Sequence, residues 1–135
     1  MPISTGFNHV ATLSTDLDRH AEWYHEVFGA EVTFKMEKAG DHPRMFILDV
    51  GGGAALNVFE VTRDEIVGEQ RRQGGRGAID HFAIAVDSLE TLEQVKQRLI
   101  DAGADIGEIQ RLGPEWSLFF RDVDGMELEV CTPAE

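Results

Sequence analysis

The 135-residue sequence has little of what marks secreted, membrane-spanning or nucleic-acid-binding proteins. Its only cysteine is Cys131, which excludes an internal disulfide. The sequence has 12 lysines and arginines and 25 acidic residues, which gives a net charge of -13. This negative charge repels phosphate backbones and anionic membranes. We therefore expect neither a nucleic-acid partner nor a membrane partner. No apolar run approaches the roughly 20 residues that span a bilayer, and residues 1–6 lack a secretory signal, so the predicted location is cytoplasmic.

The most informative feature that is present is an internal repeat with an offset of 72 residues. Residues 7–11 and 79–83 carry the same pattern with a histidine in third place, so His9 and His81 are equivalent. Residues 53–57 match residues 125–129, which makes Asn57 equivalent to Glu129. A repeat of a whole unit indicates a duplicated structural module. Two imidazoles and one carboxylate, brought together by such a duplication, are enough to hold a transition metal.

Each half of the sequence has the pattern of a strand, a helix and further strands. In the first half, Thr15 or Asp16 caps the predicted helix and Gly29 ends it. In the second half, Asp87 and Glu90 are spaced as a capping box, and Gly103 ends the helix. The predicted strands are residues 7–13, 31–36, 44–50 and 54–61, then 82–86, 117–122 and 126–132.

These elements predict an α+β fold of paired βαβββ modules, in which a curled mixed sheet surrounds a metal-binding cavity. We expect a single domain over residues 1–135, with module one at about 5–62 and module two at about 78–133. Residues 63–77 are polar and contain glycine, which is typical of a linker. One module alone leaves sheet edges and an apolar face exposed, which favours pairing of the two modules. Two modules in one chain need not complete a closed site, so a homodimer is the expected assembly.

The sequence resembles the vicinal oxygen chelate superfamily, which contains glyoxalases, extradiol dioxygenases, epimerases, thiol transferases and bleomycin-binding proteins. The resemblance covers essentially the whole chain. It is carried by Asn-His-Val at 8–10, Asp-His-Phe-Ala at 80–83 and the closing segment at 122–129, together with the tryptophan, tyrosine and glycine of the first helix. The order and spacing of these motifs are specific for the superfamily but not for one member.

The resemblance implies one metal ligand from each of four equivalent strands, at His9, Asn57, His81 and Glu129. Asn57 departs from the glyoxalase pattern, because a neutral amide stands where glyoxalases have a carboxylate, and an amide cannot act as a base near neutral pH. The remaining set of His9, His81 and Glu129 has the composition of a two-histidine, one-carboxylate triad. Iron(II) or manganese(II) is the favoured cofactor, with nickel, zinc or cobalt as alternatives.

The favoured function is a dioxygenase-like reaction on a small molecule that chelates the metal through two oxygens. A glyoxalase- or epimerase-type lyase or isomerase is the first alternative, and a metal-free protein that binds a drug or metabolite is the second. Asn57, Phe59 and Phe119 are the predicted substrate-binding residues, and no catalytic base is identified. Thiol-transferase activity is disfavoured, because Phe119 replaces the tyrosine that the resemblance would require.

The other histidines receive structural interpretations. His20 and His25 are predicted to lie on the surface of the first helix, and His42 in an exposed loop.

Overall fold

The computed structural model describes residues 1–68 and 79–134. The chain divides into two compact units, Met1–Ile66 and Val67–Glu135, called here the first unit and the second unit. Residues 69–77 of the predicted linker lie outside the described residues. The sequence of the linker also predicts one short helical turn near residues 64–69, and the structure has a 3-10 helix at Arg63–Glu65.

Both units have the βαβββ order that the repeat predicted, so the α+β class and the paired-module architecture are confirmed. The elements of the first unit are β1 (His9–Ser14), α1 (Leu17–Phe28), β2 (Glu31–Met36), β3 (Met45–Gly51) and β4 (Ala54–Glu60). Those of the second unit are β5 (Phe82–Ala85), α2 (Leu89–Asp101), β6 (Gln110–Leu112), β7 (Glu115–Arg121) and β8 (Glu127–Pro133).

The two sheets have the same strand order, and the register of β1–β4 and β3–β4 repeats in β5–β8 and β7–β8. The first sheet runs β1-β4-β3-β2 and the second runs β5-β8-β7-β6. β1 is parallel to β4 and β5 is parallel to β8, whereas the other neighbouring strands are antiparallel. Ala11 pairs with Asn57 in one sheet and Ala83 with Glu129 in the other, again 72 positions apart. The repeat seen in the sequence is therefore a repeat of strand register.

The two helices begin at equivalent positions, and a glycine with positive φ follows each, Gly29 directly after α1 and Gly103 after the C-cap Ala102 of α2. The Asp16 side chain accepts a hydrogen bond from a first-turn backbone N–H of α1, and Ser88 does the same for α2. The predicted capping box at Asp87 was wrong by one residue, because the serine hydroxyl at the next position takes the N-cap role. Gly29 ends α1 with φ at 70°, a left-handed conformation in which glycine avoids the strain of a Cβ.

The core of each unit lies between its helix and one face of its sheet. In the first unit, α1 packs on β2, β3 and β4, whose residues Phe46, Leu48, Leu56 and Val58 are buried. In the second unit, α2 packs on β7 and β8, and the equivalent buried residues are Leu118, Phe120, Leu128 and Val130. Because strand side chains alternate between faces, the residues between these point away from the helices. We call these the open faces of the two sheets.

The predicted position of His20 rested on its residue type alone and was wrong. Its side chain is 1% exposed and stacks on the Tyr24 ring at 4.6 Å, so its predicted surface position was wrong. The spacing from Leu17 to His20, Tyr24 and Val27 follows the buried stripe of α1, and this spacing was the signal to use. His25 is exposed, as predicted.

None of the helices in the described part of the chain is long and apolar enough to cross a membrane.

Candidate metal centre

Two of the three predicted metal ligands lie together on the open face of the second sheet. His81 directly precedes β5, and Glu129 is the third residue of β8. The parallel pairing of β5 with β8 brings the two side chains into contact, with His81 Nε2 3.0 Å from Glu129 Oε1. This distance is within hydrogen-bond range and also defines an ion pair when the imidazole is protonated.

Each member of this pair forms a hydrogen bond with a further residue, through the atom that does not contact the other member. The Asp80 carboxylate accepts a hydrogen bond from His81 Nδ1 at 2.6 Å. The Ser117 hydroxyl, which is fully buried, donates to Glu129 Oε2 at 2.5 Å. The nitrogen and oxygen that face each other, Nε2 and Oε1, are the atoms left for a common partner. Orientation of ligands by such outer hydrogen bonds is typical of metal sites.

The electrostatic setting of His81 favours positive charge at this place. Burial disfavours the imidazolium, but hydrogen bonds to Asp80 and Glu129 outweigh burial and raise the pKa of His81 above its ordinary value. Nearby, burial raises the pKa of Glu127, although Arg121 Nε lies 3.3 Å from that carboxylate. The Asp80 and Glu129 carboxylates thus place negative charge beside both ring nitrogens of His81.

Phe119 adjoins the pair, as expected of a residue lining the site. It is the strand partner of Glu129 across β7 and β8. Its ring centroid lies 5.0 Å from that of His81, with an angle of 76° between the planes. This edge-to-face contact provides an apolar wall beside a polar donor pair. Its predicted role in binding a substrate stays a prediction.

The equivalent place in the first unit has a histidine without a carboxylate. His9 begins β1, is exposed, and has Nδ1 2.7 Å from Asn8 Oδ1. Asn57 is half-buried on β4 and pairs with Ala11. Met45 stands where the second unit has Ser117. Within neither unit do three or more described histidine, cysteine or acidic side chains form a group that could hold a metal, so the three-ligand set remains a prediction.

Phe59 lies two residues beyond Asn57 on the same strand, between Leu13 of β1 and Met45 of β3. Its ring is 6.0 Å from the ring of His42, which is half-buried rather than fully exposed as predicted. The Nδ1 atom of His42 is buried and has no hydrogen-bond partner among the described residues. No sequence signal pointed to this contact, because it depends on how the loop before β3 folds back.

A groove of about 360 Å³ crosses the first sheet near the β3–β4 turn. It is lined by Thr33, Asp49, Ala54, Ala55 and the glycines at 51–53. Ala55 is the strand partner of His9, so the groove reaches the row of the sheet where the first predicted ligand stands.

A family model provides the decisive comparison. The model described as the Glyoxalase/Bleomycin resistance protein/Dioxygenase superfamily matches residues 6–130. The chain belongs to this superfamily. The resemblance inferred from the His9 and His81 motifs is therefore confirmed, whereas the individual activity is a separate question.

One known protein and two solved structures are similar to this chain. The chain is 25% identical over 130 residues to the Bacillus subtilis (strain 168) protein named "Putative ring-cleaving dioxygenase MhqA", covering 96% of this chain but only 41% of that protein. It is 27% identical, with a TM-score of 0.78, to a glyoxylase/bleomycin resistance protein/dioxygenase domain from Frankia sp. EAN1pec, covering 97% of this chain and 99% of that one. The fosfomycin resistance protein FosX from Listeria monocytogenes shares the fold, with a TM-score of 0.73, 17% identity, and coverage of 98% and 96%.

Many superfamily members use a divalent metal ion, and the donor atoms of the second unit fit one. Imidazole nitrogen and carboxylate oxygen are ligands that iron, manganese, nickel and zinc all accept. His81 Nε2 and Glu129 Oε1 lie side by side, and hydrogen bonds between the opposite atoms of these side chains and Asp80 and Ser117 fix their orientation. The residues present are therefore compatible with the metal that the superfamily implies.

Cys131 lies two residues beyond Glu129 but is not a reactive group. It is buried, and burial together with a hydrogen bond to Glu115 raises the pKa of its thiol to about 12. At pH 8 the thiolate fraction is then about a thousandfold lower than for an ordinary cysteine. We expect iodoacetamide to label Cys131 at least about a hundredfold more slowly in the native protein than in urea at pH 8, as followed by mass spectrometry. Equal labelling rates in the two conditions would contradict the assigned environment.

Proposed function

We propose that this chain is a metal-dependent superfamily enzyme with dioxygenase-like chemistry on a small substrate that chelates through oxygen. The observation that carries the proposal is the contact between His81 and Glu129, each held from behind by its own hydrogen-bond partner. His9 is proposed as the third ligand, which makes a set of two histidines and one carboxylate.

The proposed ligands differ in the charge and the donor atom that they supply. Glu129 supplies the negative charge, and the two imidazoles supply neutral nitrogen donors. A divalent metal in such a set polarises the substrate oxygens and leaves coordination positions for substrate and dioxygen. Phe119, beside His81, is proposed to contact the apolar body of the substrate, and Phe59 is proposed to do so on the first unit.

Asn57 favours oxygen chemistry over glyoxalase chemistry. In the glyoxalase pattern, a carboxylate at this position moves a proton, and an amide cannot do so near neutral pH. We propose that Asn57 instead orients the substrate or a water molecule, or coordinates weakly. A catechol or an α-oxygenated carbonyl is the proposed substrate class. The name of the Bacillus subtilis relative supports ring cleavage, although the chain spans only about two fifths of that protein's length.

The test begins with protein purified anaerobically without a histidine tag. We expect near-stoichiometric iron or manganese by elemental analysis, and oxygen uptake when catechols are added. His81→Ala should lose both, whereas His25→Ala, at an exposed helix position, should keep both.

The other outcomes separate the alternatives. Nickel, zinc or cobalt, together with exchange of a substrate α-proton in deuterated buffer and no oxygen uptake, would replace the dioxygenase proposal with a lyase or isomerase. Absence of metal, with no uptake of added divalent ions, would instead favour a metal-free binding protein. Ligand binding by such a protein would be unaffected by chelators and by His81→Ala.

The assembly and location are proposed as a homodimer in the cytoplasm. Light scattering coupled to size-exclusion chromatography measures the assembly directly. A mass near the 15.0 kDa of one chain would contradict the dimer.

A further inference from the structure

Both proposed histidine ligands are preceded by a residue whose side-chain oxygen binds the ring from behind. Asn8 Oδ1 lies 2.7 Å from Nδ1 of His9, and Asp80 Oδ1 lies 2.6 Å from Nδ1 of His81. An oxygen acceptor at Nδ1 requires the proton to be on that nitrogen, so Nε2 is left as the donor atom toward a metal. The same arrangement thus occurs twice, at positions 72 residues apart.

The two copies differ in charge. The acceptor behind His81 is a carboxylate, and the acceptor behind His9 is a neutral amide. A carboxylate forms the shorter and stronger hydrogen bond, and its negative charge attracts a cation bound on the far side of the ring. Glu129 also has the buried Ser117 hydroxyl as its anchor, whereas the first unit has Asn57 and Met45 at the equivalent places.

We propose that Asp80 and Ser117 are positioning residues that strengthen metal binding by His81 and Glu129 in the second unit. A divalent cation binds more tightly to His81 and Glu129 than to His9, whose ring has a neutral amide behind it. Asp80 and Ser117 touch the ligands and not the cation, so they act through orientation and charge. This inference rests on the proposed function, because it assumes that His81 and Glu129 are ligands.

Asp80 provides the sharper test, since its side chain is about half exposed and its replacement should not disturb the core. Asp80→Asn keeps a side-chain oxygen for the ring but removes the charge, and Asp80→Ala removes both. Outer-shell partners of metal-bound histidines contribute roughly 10- to 100-fold in affinity. We expect Co²⁺ to bind about tenfold more weakly to Asp80→Asn and up to about 100-fold more weakly to Asp80→Ala, as measured by calorimetry.

The first unit offers the reverse experiment. Asn8→Asp places a carboxylate behind His9, as in the second unit, and should tighten Co²⁺ binding by up to about tenfold. Asp101→Asn, which removes an exposed carboxylate on α2, serves as the control and should leave Co²⁺ affinity unchanged. The visible absorption bands of Co²⁺ at saturation should shift in Asp80→Ala and not in the control, while the metal-free melting temperature stays the same in both.

His81→Ala distinguishes failure of this inference from failure of the proposed function. If His81→Ala abolishes Co²⁺ binding but Asp80→Ala binds as the original protein does, the positioning role is wrong and the metal site stands. If His81→Ala binds Co²⁺ normally, the proposed ligands themselves are wrong. An unchanged affinity in Asn8→Asp would contradict the assigned difference between the two histidines.

Discussion

Replacing Glu129 with alanine is expected to lower the affinity for a divalent metal ion by more than about 100-fold, since loss of a ligand should exceed the 10- to 100-fold effect of an outer-shell partner. Glu129 is the only carboxylate in the proposed set, and it faces His81 at 3.0 Å. The comparison is calorimetric, with Co²⁺ as the probe and the metal-free protein as starting material.

The equivalent position in the first unit provides the matched control. Asn57→Ala removes a weak ligand or an orienting amide, so we expect an affinity loss of less than about tenfold. Glu129→Gln is the second comparison, because it keeps an oxygen for the buried Ser117 hydroxyl while removing the charge. It should lose metal affinity as Glu129→Ala does but retain more stability, because an unsatisfied buried hydroxyl costs about 1–3 kcal/mol. Unchanged metal affinity in Glu129→Ala would remove Glu129 from the site.

The largest stability effect is expected from Phe120→Ala. The side chain is 1% exposed, lies on the helix-facing side of β7 and pairs across the sheet with Leu128. Truncating a buried phenylalanine leaves a cavity and costs about 3–5 kcal/mol. Denaturation by urea, with a chelator present so that bound metal does not add stability, measures the loss.

Phe34→Ala is the control for this substitution. Phe34 lies on the edge strand β2 and is 47% exposed, so its truncation should cost less than about 1 kcal/mol. A similar loss of stability in the two variants would contradict the assignment of Phe120 to the core.

Local signals in the sequence were sufficient for most of the fold. Asp16 and Gly29 bound α1 as predicted, because capping and a left-handed C-terminus depend on neighbouring backbone atoms alone. The position of the short strand β6 was not predicted, since Gln110, Arg111 and Leu112 have no alternating pattern and are all exposed. It forms by pairing with β7, which is a long-range contact that composition does not report.

The candidate site was predicted only in part. The sequence named His81 and Glu129, because the repeat placed them at equivalent strand positions, and the structure brings them into contact. It did not assign roles to Asp80 or Ser117. The Ser117 contact crosses from β7 to β8 and needs the strand register, while the orientation of the Asp80 side chain depends on the backbone just before β5.

By itself, the sequence determined the duplicated βαβββ architecture, the superfamily, and which residues occupy equivalent positions. The architecture and the equivalent positions follow from periodicity and spacing along the chain, and the superfamily follows from the resemblance of the sequence motifs. Only the tertiary structure decided that the Cys131 thiol has a raised pKa, and that the side chains of His81 and Glu129 are each bound by a second residue. Burial, pKa and side-chain contacts depend on residues far apart in the chain, so they exist only once the strands have paired and the helices have packed.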